Sequence, residues 1–269
     1  MPNILYQFAG QDAANYEKYL GPLLFEPSAQ MLKAQLTFKA VQTVLEISSG
    51  TGRATRHIRR IFPATTTIVA TDINADMLGL ARAKLKTPHI AFVTADAQDL
   101  PFPDTSFDLV ICQYGLMFFQ DKSKALKEIF RVLKPGGHFV FSTWDKTENM
   151  PVLKIIFNDN IIASLGVDNS KQILTPFSLH DKQILSDLLS NAGFSSIQVH
   201  NEKFNSPVAS AQVLVKAFLL KHPVRREVEK KDGDAVSLIS TKILEQLKLR
   251  FGPKPFSFNL SAWIGIGSK

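Results

Sequence analysis

The residues with the clearest chemical potential lie at 44–52, where an apolar strand pattern runs into Ser48-Ser49-Gly50-Thr51-Gly52. A helical pattern with one apolar face begins directly after Gly52. Glycine lacks a Cβ and reaches positive φ at little cost, so the backbone at such a turn can approach a ligand closely. A strand, a glycine turn and a helix N-terminus together form a corner that binds nucleotides. The segment therefore predicts a nucleotide-binding corner, with an ordinary strand-to-helix turn as the alternative.

An acidic residue at the end of the next strand pattern could complete this site. Asp72 follows the strand pattern at 67–71 and lies 20 residues after Gly52. That spacing suits a carboxylate that accepts hydrogen bonds from both ribose hydroxyls. Because Asn74 can cap the helix that follows, Asp72 is available for the ribose, although helix capping is its alternative role.

The base of the nucleotide has candidate contacts of its own. Asp96 follows the strand pattern at 89–93, where its carboxylate can accept a hydrogen bond from the exocyclic amine of adenine. The neighbouring amide of Ala97 can donate to a ring nitrogen. Ile73 and Met77 would flank the adenine with apolar surface, and packing in the core is the alternative for Met77.

The spacing of the glycines separates the classes of nucleotide. The dinucleotide pattern Gly-x-Gly-x-x-Gly/Ala fails because Thr55 stands at its third position, and the Gly-Lys-Ser/Thr of a P-loop is absent. Instead, Glu46, Gly50 and Gly52 resemble the Glu/Asp-x-Gly-x-Gly-x-Gly loop of class I S-adenosylmethionine (SAM) methyltransferases. Ser48 stands where that family usually has its first glycine. The resemblance implies SAM as the cofactor, bound at this loop, with Ser48 small enough to keep the backbone near it.

Longer segments carry the same resemblance further along the chain. Residues 100–112 (LPFPDTSFDLVIC) and 125–144 (ALKEIFRVLKPGGHFVFSTW) are similar to motifs of the methyltransferase type 11 group, which includes ubiquinone/menaquinone-biosynthesis-like enzymes. Residues 8–27 resemble the N-terminal lid of one bacterial subgroup, in which two tyrosines lie near the cofactor. On this basis we place Tyr19 at the cofactor and Tyr16 at the acceptor pocket.

The segment after the fourth strand pattern, 107–112, is expected to reach the same cleft, because ligands of open α/β sheets lie beyond the carboxyl ends of the strands. Gln113 can satisfy polar groups of the methionine moiety. Tyr114, Phe118 and Phe119 either line a pocket for the methyl acceptor or belong to the core.

Alternating strand and helix patterns predict an α/β fold. The resemblance implies a Rossmann-like, seven-stranded and mostly parallel sheet with helices on both faces and an antiparallel last strand. We expect a single methyltransferase domain over residues 1–269, made of a helical N-terminal lid, a SAM-binding core, a helical insertion on the substrate side and a C-terminal half. These parts are expected at 1–40, 41–145, 146–180 and 181–269.

Several element boundaries can be predicted in more detail. Gly21-Pro22 is expected to separate two N-terminal helices, and a short strand is expected at 196–199. The expected helices on either side of Gly21-Pro22, and two more near the C-terminus, span 12–20, 27–40, 207–222 and 225–250.

The composition and charge of the chain limit the kinds of binding partner that we expect. The net charge is +7, but the basic residues are spread along the chain without a block of five like charges, so nucleic acid is not expected as a partner. No apolar run reaches eighteen residues and no secretory signal is present, which favours a cytoplasmic protein without stable membrane insertion. The single cysteine, Cys112, lies in an apolar strand pattern and is expected to be inert. The histidine spacings give no reason to expect a metal site.

These observations lead to one functional hypothesis and one alternative. The hypothesis is methyl transfer from SAM to a small, fairly apolar acceptor, by O-, C- or N-methylation and in-line displacement, with the protein mainly positioning the reactants. No catalytic residue can be assigned, and His57 and His180 are the least implausible bases. The alternative is a catalytically silent SAM-binding sensor or partner subunit. The oligomeric state stays open.

Overall fold

The computed structural model describes residues 8–166 and 170–269. Its sheet has seven strands in the order β3-β2-β1-β4-β5-β7-β6. The strands are β1 (Thr43–Ile47), β2 (Thr67–Asp72), β3 (Ile90–Thr94), β4 (Phe107–Gln113), β5 (Leu133–Trp144), β6 (Ser195–Val208) and β7 (Phe256–Ser268). β1 to β5 run parallel, whereas β7 lies antiparallel between β5 and β6. The predicted Rossmann-like sheet with an antiparallel last strand is therefore confirmed.

The helices connect these strands and cover the sheet. The N-terminal and central helices are α1 (Gln11–Asn15), α2 (Glu26–Lys33), α3 (Arg53–Ile61), α4 (Ala75–Lys84) and α5 (Lys122–Val132). The later helices are α6 (Pro151–Leu153), α7 (Ala163–Leu165), α8 (Ser170–Ile173), α9 (Lys182–Asn191), α10 (Ala211–Val215), α11 (Val224–Lys231) and α12 (Ala235–Phe251). Short 3₁₀ turns occupy Leu116–Phe118, Thr147–Asn149 and Thr175–Phe177.

Three segments of the chain adopt the wider π-helical geometry. They are Tyr16–Phe25 between α1 and α2, Lys154–Ile162 between α6 and α7, and Lys216–Leu220 after α10. π-helices are rare and are found mostly as single turns, often at functional sites. All three segments contribute side chains to the cavity described below.

The central strands β1 and β4 are mostly apolar because both faces of the sheet are buried there, whereas the edge strand β6 is largely polar and partly exposed. In β1, Val44 faces one core cluster with α2 and α3, whereas Leu45 and Ile47 face the other cluster, which includes α5 and α9. This is the burial expected of parallel strands covered by helices on both sides. The strand pattern at 44–47 indicated this arrangement correctly.

The structure corrects five of the predicted boundaries. The helix predicted at 27–40 ends at Lys33, and the helix predicted at 207–222 begins at Ala211, because β6 extends to Val208. Gly21-Pro22 does not break the N-terminal helix: the wide π-helical turn accommodates Pro22, and the Glu26 amide donates to the Gly21 carbonyl. The helix predicted at 225–250 is two helices, because the chain turns at 232–234. The strand predicted at 196–199 extends from Ser195 to Val208, since β7 pairs with it along most of its length.

The strand order reverses beside β1, and this point locates the ligand site. Along the chain, β2 and β3 add on one side of β1, whereas β4 and β5 add on the other. Loops at the carboxyl ends of β1 and β4 therefore leave in opposite directions and open a crevice between them.

Candidate active site

The turn after β1 is held by backbone hydrogen bonds and by backbone conformations that glycine adopts easily. The Ser49 amide donates to the Thr71 carbonyl at 2.8 Å, and the Gly52 amide donates to the Ser49 carbonyl at 2.9 Å. Gly50 and Gly52 have φ of +53° and +77°. Gly52 precedes α3 directly, and a Cβ there would press on the side chains of Ala81 and Leu85. α3 therefore begins at the crevice, with its first amides directed toward it.

Ser48 shares the left-handed conformation although it is not glycine. Its φ is +57°, a region that non-glycine residues enter at an energetic cost. Its side chain fits because residue 115 is glycine: a Cβ at Gly115 would clash with the Ser48 hydroxyl and with the Cys112 sulfur. The serine in place of the usual glycine thus depends on a glycine after β4.

Asp72 joins the ends of β1 and β2. Its carboxylate accepts hydrogen bonds from the Gly50 amide at 2.8 Å and from the Asn74 amide at 2.9 Å. Burial raises the pKa of Asp72, while the amides that donate to it oppose the increase. Asn74 is the cap of α4, since its side chain accepts from the amides of Asp76 and Met77. Asp72 therefore does not cap α4 and faces the crevice.

Glu46 lies beneath the turn and is almost completely buried, with 1% of its surface exposed. Burial raises the pKa of Glu46 to about 8, and the nearby charge of Asp72 acts in the same direction, whereas Thr55 opposes it. Within the described part of the chain, its Oε2 atom has no hydrogen-bond partner. The free protein therefore holds a largely protonated carboxyl under the loop at neutral pH.

A cavity of about 650 Å³ opens over the carboxyl ends of β1, β2 and β4. One part is bordered by the strand ends and loops, and the other by aromatic side chains of the helical segments. A smaller cavity of about 30 Å³ adjoins the turn itself.

The large cavity brings together most of the residues predicted from the sequence. The predicted residues that line it are Tyr16, Ser48, Gly50, Asp72, Ile73, Met77, Asp96, Ala97, Gln113, Tyr114, Phe118 and Phe119. Glu46 lines the smaller cavity. Gly52 and Tyr19 border neither cavity: Gly52 packs on α4, and the Tyr19 ring lies 5.4 and 5.2 Å from the amines of Lys18 and Lys216.

The polar atoms along the strand ends fit a nucleoside joined to an amino acid. Asp72 and Asp96 lie on the side of Ile73, Met77 and Ala97, which offer apolar surface to a base. The Asp96 carboxylate is positioned by Gln98, whose amide donates to it at 2.9 Å. On the side of the small cavity, the Gln113 Nε2 atom is buried without a hydrogen-bond partner among the described residues. This amide is available to an acceptor such as the carboxylate of a methionine moiety.

The remaining walls of the cavity were not predicted from the sequence. Asn74, Gln98 and Gln120 add polar groups to these walls. Most of the rest are aromatic and apolar side chains from distant parts of the chain with one histidine, among them Leu20, Leu24, Phe25, Trp144, Leu153, Phe157, Pro176, Phe177, Phe218 and His222. Their positions in helical patterns gave no signal that separates a pocket wall from the core. Leu20, Phe25, Phe157 and Phe177 lie in the segments predicted as a lid (1–40) and as a substrate-side insertion (146–180), but the sequence did not single them out as individual residues.

Trp144 forms a rigid aromatic pair with Tyr114, which is one of the predicted residues. The rings of Tyr114 and Trp144 stack at 3.9 Å with an interplanar angle of 6°. The Tyr114 hydroxyl donates to Ser28 Oγ in α2 at 3.0 Å, and burial raises its pKa well above the ordinary value. Tyr114 therefore stays neutral and presents a fixed ring to the cavity.

His222 is the histidine that reaches the cavity. Its Nδ1 atom accepts a hydrogen bond from the Val224 amide at 3.1 Å, and burial lowers its pKa to about 4. The ring is therefore neutral at pH 7, with its proton on Nε2. His57 instead bonds to Glu26 at 2.9 Å and His180 to the Phe177 carbonyl at 2.6 Å, and neither lines the cavity.

The N-terminal helical segment covers the cavity and is bonded to the turn below it. Glu17 accepts a hydrogen bond from the Thr51 hydroxyl at 2.5 Å and forms an ion pair with Arg53 at 2.9 Å. Tyr16 stacks on Phe25 with the ring centroids 4.7 Å apart. The described part of the predicted lid thus lies across the crevice.

Fold and crevice together define a Rossmann-like nucleotide-binding protein, and comparison with known proteins identifies the family. The methyltransferase-domain family matches residues 45–141. The ubiquinone/menaquinone biosynthesis C-methyltransferase UbiE of Escherichia coli O1:K1 is 32% identical over 173 residues, which cover 60% of this chain and 69% of that relative.

Two solved structures share the fold at lower sequence identity. YcgJ of Bacillus subtilis is 21% identical with a TM-score of 0.58, covering 90% of this chain and 97% of the other. Phosphoethanolamine N-methyltransferase 2 of Haemonchus contortus, solved with SAM, is 18% identical with a TM-score of 0.61, covering 100% of this chain and 60% of the other. The chain belongs to the SAM-dependent methyltransferases, and its cofactor is SAM.

The structure also bears on metal binding, membrane crossing and cysteine chemistry. Across residues 8–166 and 170–269, no group of three or more His, Cys, Asp or Glu side chains is arranged to hold a metal ion. In the same residues, no helix is both long enough and apolar enough to cross a membrane. Cys112 is buried, and burial raises its pKa to about 12.

The left-handed conformation of Ser48 leads to a prediction. Ser48→Gly should raise the free energy of unfolding by roughly 1 kcal/mol, because glycine adopts this φ without the steric cost. SAM affinity should be equal or greater, as measured by isothermal titration. Gly115→Ala is the matched variant, because its Cβ would clash with Ser48, and it should lower both quantities. A large loss of affinity in Ser48→Gly would instead assign a direct contact to the hydroxyl.

The buried Glu46 predicts a pH dependence of stability. Its pKa is about 8 in the folded chain and 4.5 in an ordinary environment, so between these values the folded state holds a proton that the unfolded chain has released. Its contribution to stability is therefore complete below about pH 4.5 and falls as pH rises toward 8, by at most about 1.4 kcal/mol per pH unit.

Glu46→Gln isolates this contribution, because glutamine has the same shape and does not titrate. Urea unfolding of both proteins between pH 5 and 8 should give a difference in stability that changes steadily across the range. A difference that is independent of pH would contradict the assignment.

Proposed function

We propose that the enzyme transfers the SAM methyl group to a small, fairly apolar acceptor by in-line displacement. The observation that carries this proposal is the apolar part of the cavity lining, which includes aromatic side chains such as Trp144, Phe157 and Phe218. Apolar walls of this kind bind through burial of apolar surface, and a few polar groups then fix the orientation of the ligand.

The strand ends are proposed to hold the cofactor. Asp72 would accept hydrogen bonds from the ribose hydroxyls, Asp96 and the Ala97 amide would contact adenine, and Gln113 would bind the methionine end. Ile73 and Met77 would flank the base. These roles are supported by the common cavity and by the buried, unpartnered amide of Gln113. When bound, SAM supplies an electrophilic methyl group on a sulfonium, so the protein needs no nucleophile of its own.

The contribution of the chain to the reaction is then mainly positioning. Holding the acceptor in line with the methyl group and excluding water can supply on the order of 7–11 kcal/mol of the barrier in good cases. The Tyr114–Trp144 pair and the covering N-terminal segment are suited to this task, because both are fixed by hydrogen bonds or stacking.

We assign no general base. His222 is neutral, but its Nδ1 lone pair is already bonded to the Val224 amide. Tyr114 is held neutral by burial. Neither side chain is therefore available to take a proton from the acceptor.

The aromatic part of the cavity also favours a neutral acceptor over a charged one. Asp72 and Asp96, the carboxylates that line the cavity, are both on the strand-end side, and no Lys or Arg side chain lines the described cavity. Burying an unpaired ammonium or phosphate among the aromatic walls would be costly. The name of the UbiE relative points to carbon methylation in quinone biosynthesis, so quinol precursors belong in the first panel of acceptors.

A turnover assay tests the activity. The purified protein is incubated with SAM and with neutral phenols, quinol precursors and amines, and the release of S-adenosylhomocysteine is measured. Turnover should be restricted to the neutral, apolar members of the panel. Binding of SAM without product from any member would favour a silent SAM-binding subunit instead.

One substitution tests whether the aromatic side chains of the cavity, here called the acceptor wall, contact the acceptor or only pack in the core. Phe218→Leu should raise the KM for the acceptor severalfold while leaving the affinity for S-adenosylhomocysteine unchanged, because Phe218 lines the aromatic part of the cavity. Phe258→Leu is the matched control: Phe258 is equally buried but borders neither described cavity. An equal change of KM in both variants would place the effect in general core packing.

Asp72 provides the test of the cofactor site. Asp72→Ala should lower the affinity for S-adenosylhomocysteine by about 10- to 100-fold, because hydrogen bonds to a charged group contribute about 1.5–3 kcal/mol. Isothermal titration measures this loss, and circular dichroism checks that the fold is retained. Asp99→Ala, which removes an exposed carboxylate near Asp96, should bind normally. Unchanged affinity in Asp72→Ala would exclude the ribose role.

A further inference from the structure

Helix α12 exposes apolar side chains on the face that points away from the core. Its inner face packs through Ile239, Ile243 and Leu247, which are buried. On the opposite face, Leu238 is 57% exposed and Leu249 is 90% exposed. Three other large apolar residues are exposed: Ile73 and Phe118 line the cavity, and Ile184 lies in α9. Nothing in the described fold accounts for the two leucines of α12.

The leucines form one stripe with two charged residues. Leu238, Lys242, Glu245 and Leu249 are spaced by four, three and four residues, and all are exposed. With 3.6 residues per turn, this spacing places them along a single line on the helix surface. It is also the spacing of the positions that face a partner helix in a coiled coil.

The order of the residues along this stripe is self-complementary in one orientation. If a second α12 lies antiparallel and is centred between positions 243 and 244, Leu238 faces the partner's Leu249 and Lys242 faces the partner's Glu245. The two-fold axis repeats each contact. The helix pair therefore has two lysine–glutamate pairs at its centre and one leucine–leucine contact at each end. In a parallel orientation, lysine would instead face lysine and glutamate would face glutamate.

We propose that this enzyme forms a two-fold homodimer through the outer face of α12. Charge complementarity selects a second copy as the occupant, because an isologous interface must pair a surface with itself. Neither Lys242 nor Glu245 has an ion-pair partner in the part of the chain that the structure describes. Both charges are therefore available to the second subunit.

The size of the contact sets the strength of the dimer. A helix of 17 residues is about 25 Å long, so a single helix pair buries less than the roughly 1,600 Å² of a standard stable interface. The dimer is accordingly weak and depends on protein concentration.

Helix α12 also contacts a segment that contributes to the acceptor wall. The Gln246 side chain in α12 accepts a hydrogen bond from Asn160 at 2.8 Å, and Asn160 belongs to the π-helical segment that carries Phe157. Phe157 lines the cavity, whereas α12 itself does not border it. The interface therefore lies behind the acceptor wall and leaves the cavity open.

Charge reversal gives the decisive experiment. Sedimentation velocity of the full chain from about 5 to 500 µM should show a monomer that converts to a dimer across this range, as expected of a small interface. Lys242→Glu and Glu245→Lys should each raise the dimer Kd at least tenfold, because each variant places like charges opposite one another. An equimolar mixture of the two variants should dimerise again, as should the double variant. Lys127→Glu, the same charge change on the exposed surface of α5, is the matched control and should behave as the unmodified chain.

Cysteine cross-linking tests the antiparallel register. A mixture of Leu238→Cys and Leu249→Cys chains should form a disulfide between the two variants under mild oxidation. Neither variant alone should cross-link, since identical positions are separated by about 16 Å along the helices. The native Cys112 is buried and does not compete. A monomer at every concentration, a dimer insensitive to charge reversal, or cross-linking of each variant with itself would overturn the proposal.

Discussion

The hydrogen bond from the Gly50 amide to the partly buried Asp72 carboxylate is the contact on which the cofactor side of the molecule depends. A carboxylate in this position must be compensated by donors, and the amides of Gly50 and Asn74 provide them. These bonds fix the turn after β1 and the start of α4 relative to each other. The crevice therefore has a defined shape before any ligand enters, which lowers the entropic cost of binding.

The covering segment is tied to the same turn. Glu17 contacts Thr51 and Arg53, so the N-terminal helix is anchored on the first turn of α3. Ser28 holds the Tyr114 hydroxyl, which anchors the helix to the segment after β4 as well. One wall of the cavity thus depends on both loops at the point where the strand order reverses. Movement of either loop is transmitted to the cover through these bonds.

The sequence pointed to most residues that border the strand-end side of the cavity and to few of those on the opposite side, and the difference has a physical reason. The turn at 48–52 and the carboxylate of Asp72 are determined by local backbone requirements, so a short pattern indicates them. The side chains of Phe157, Phe177 and Phe218 meet only through packing between distant segments, and each also fits the pattern of a core residue. The Gly21-Pro22 break was predicted wrongly because the wider π-helical turn, which accommodates proline, has no sequence pattern of its own.

This division also follows the limits of the matched methyltransferase domain. The strand ends that border the cofactor side lie within the matched methyltransferase domain, whereas the three π-helical segments lie outside it. A π-helical turn displaces the following side chains relative to an α-helix, so its presence changes which residues face a cavity. Substitutions at Phe157 or Phe218 can therefore change the aromatic walls without touching the turn after β1, whereas the first π-helical segment is bonded to that turn through Glu17. Most of the aromatic walls and the strand ends thus come from different parts of the chain, and Glu17 is a direct link between the covering segment and the turn after β1.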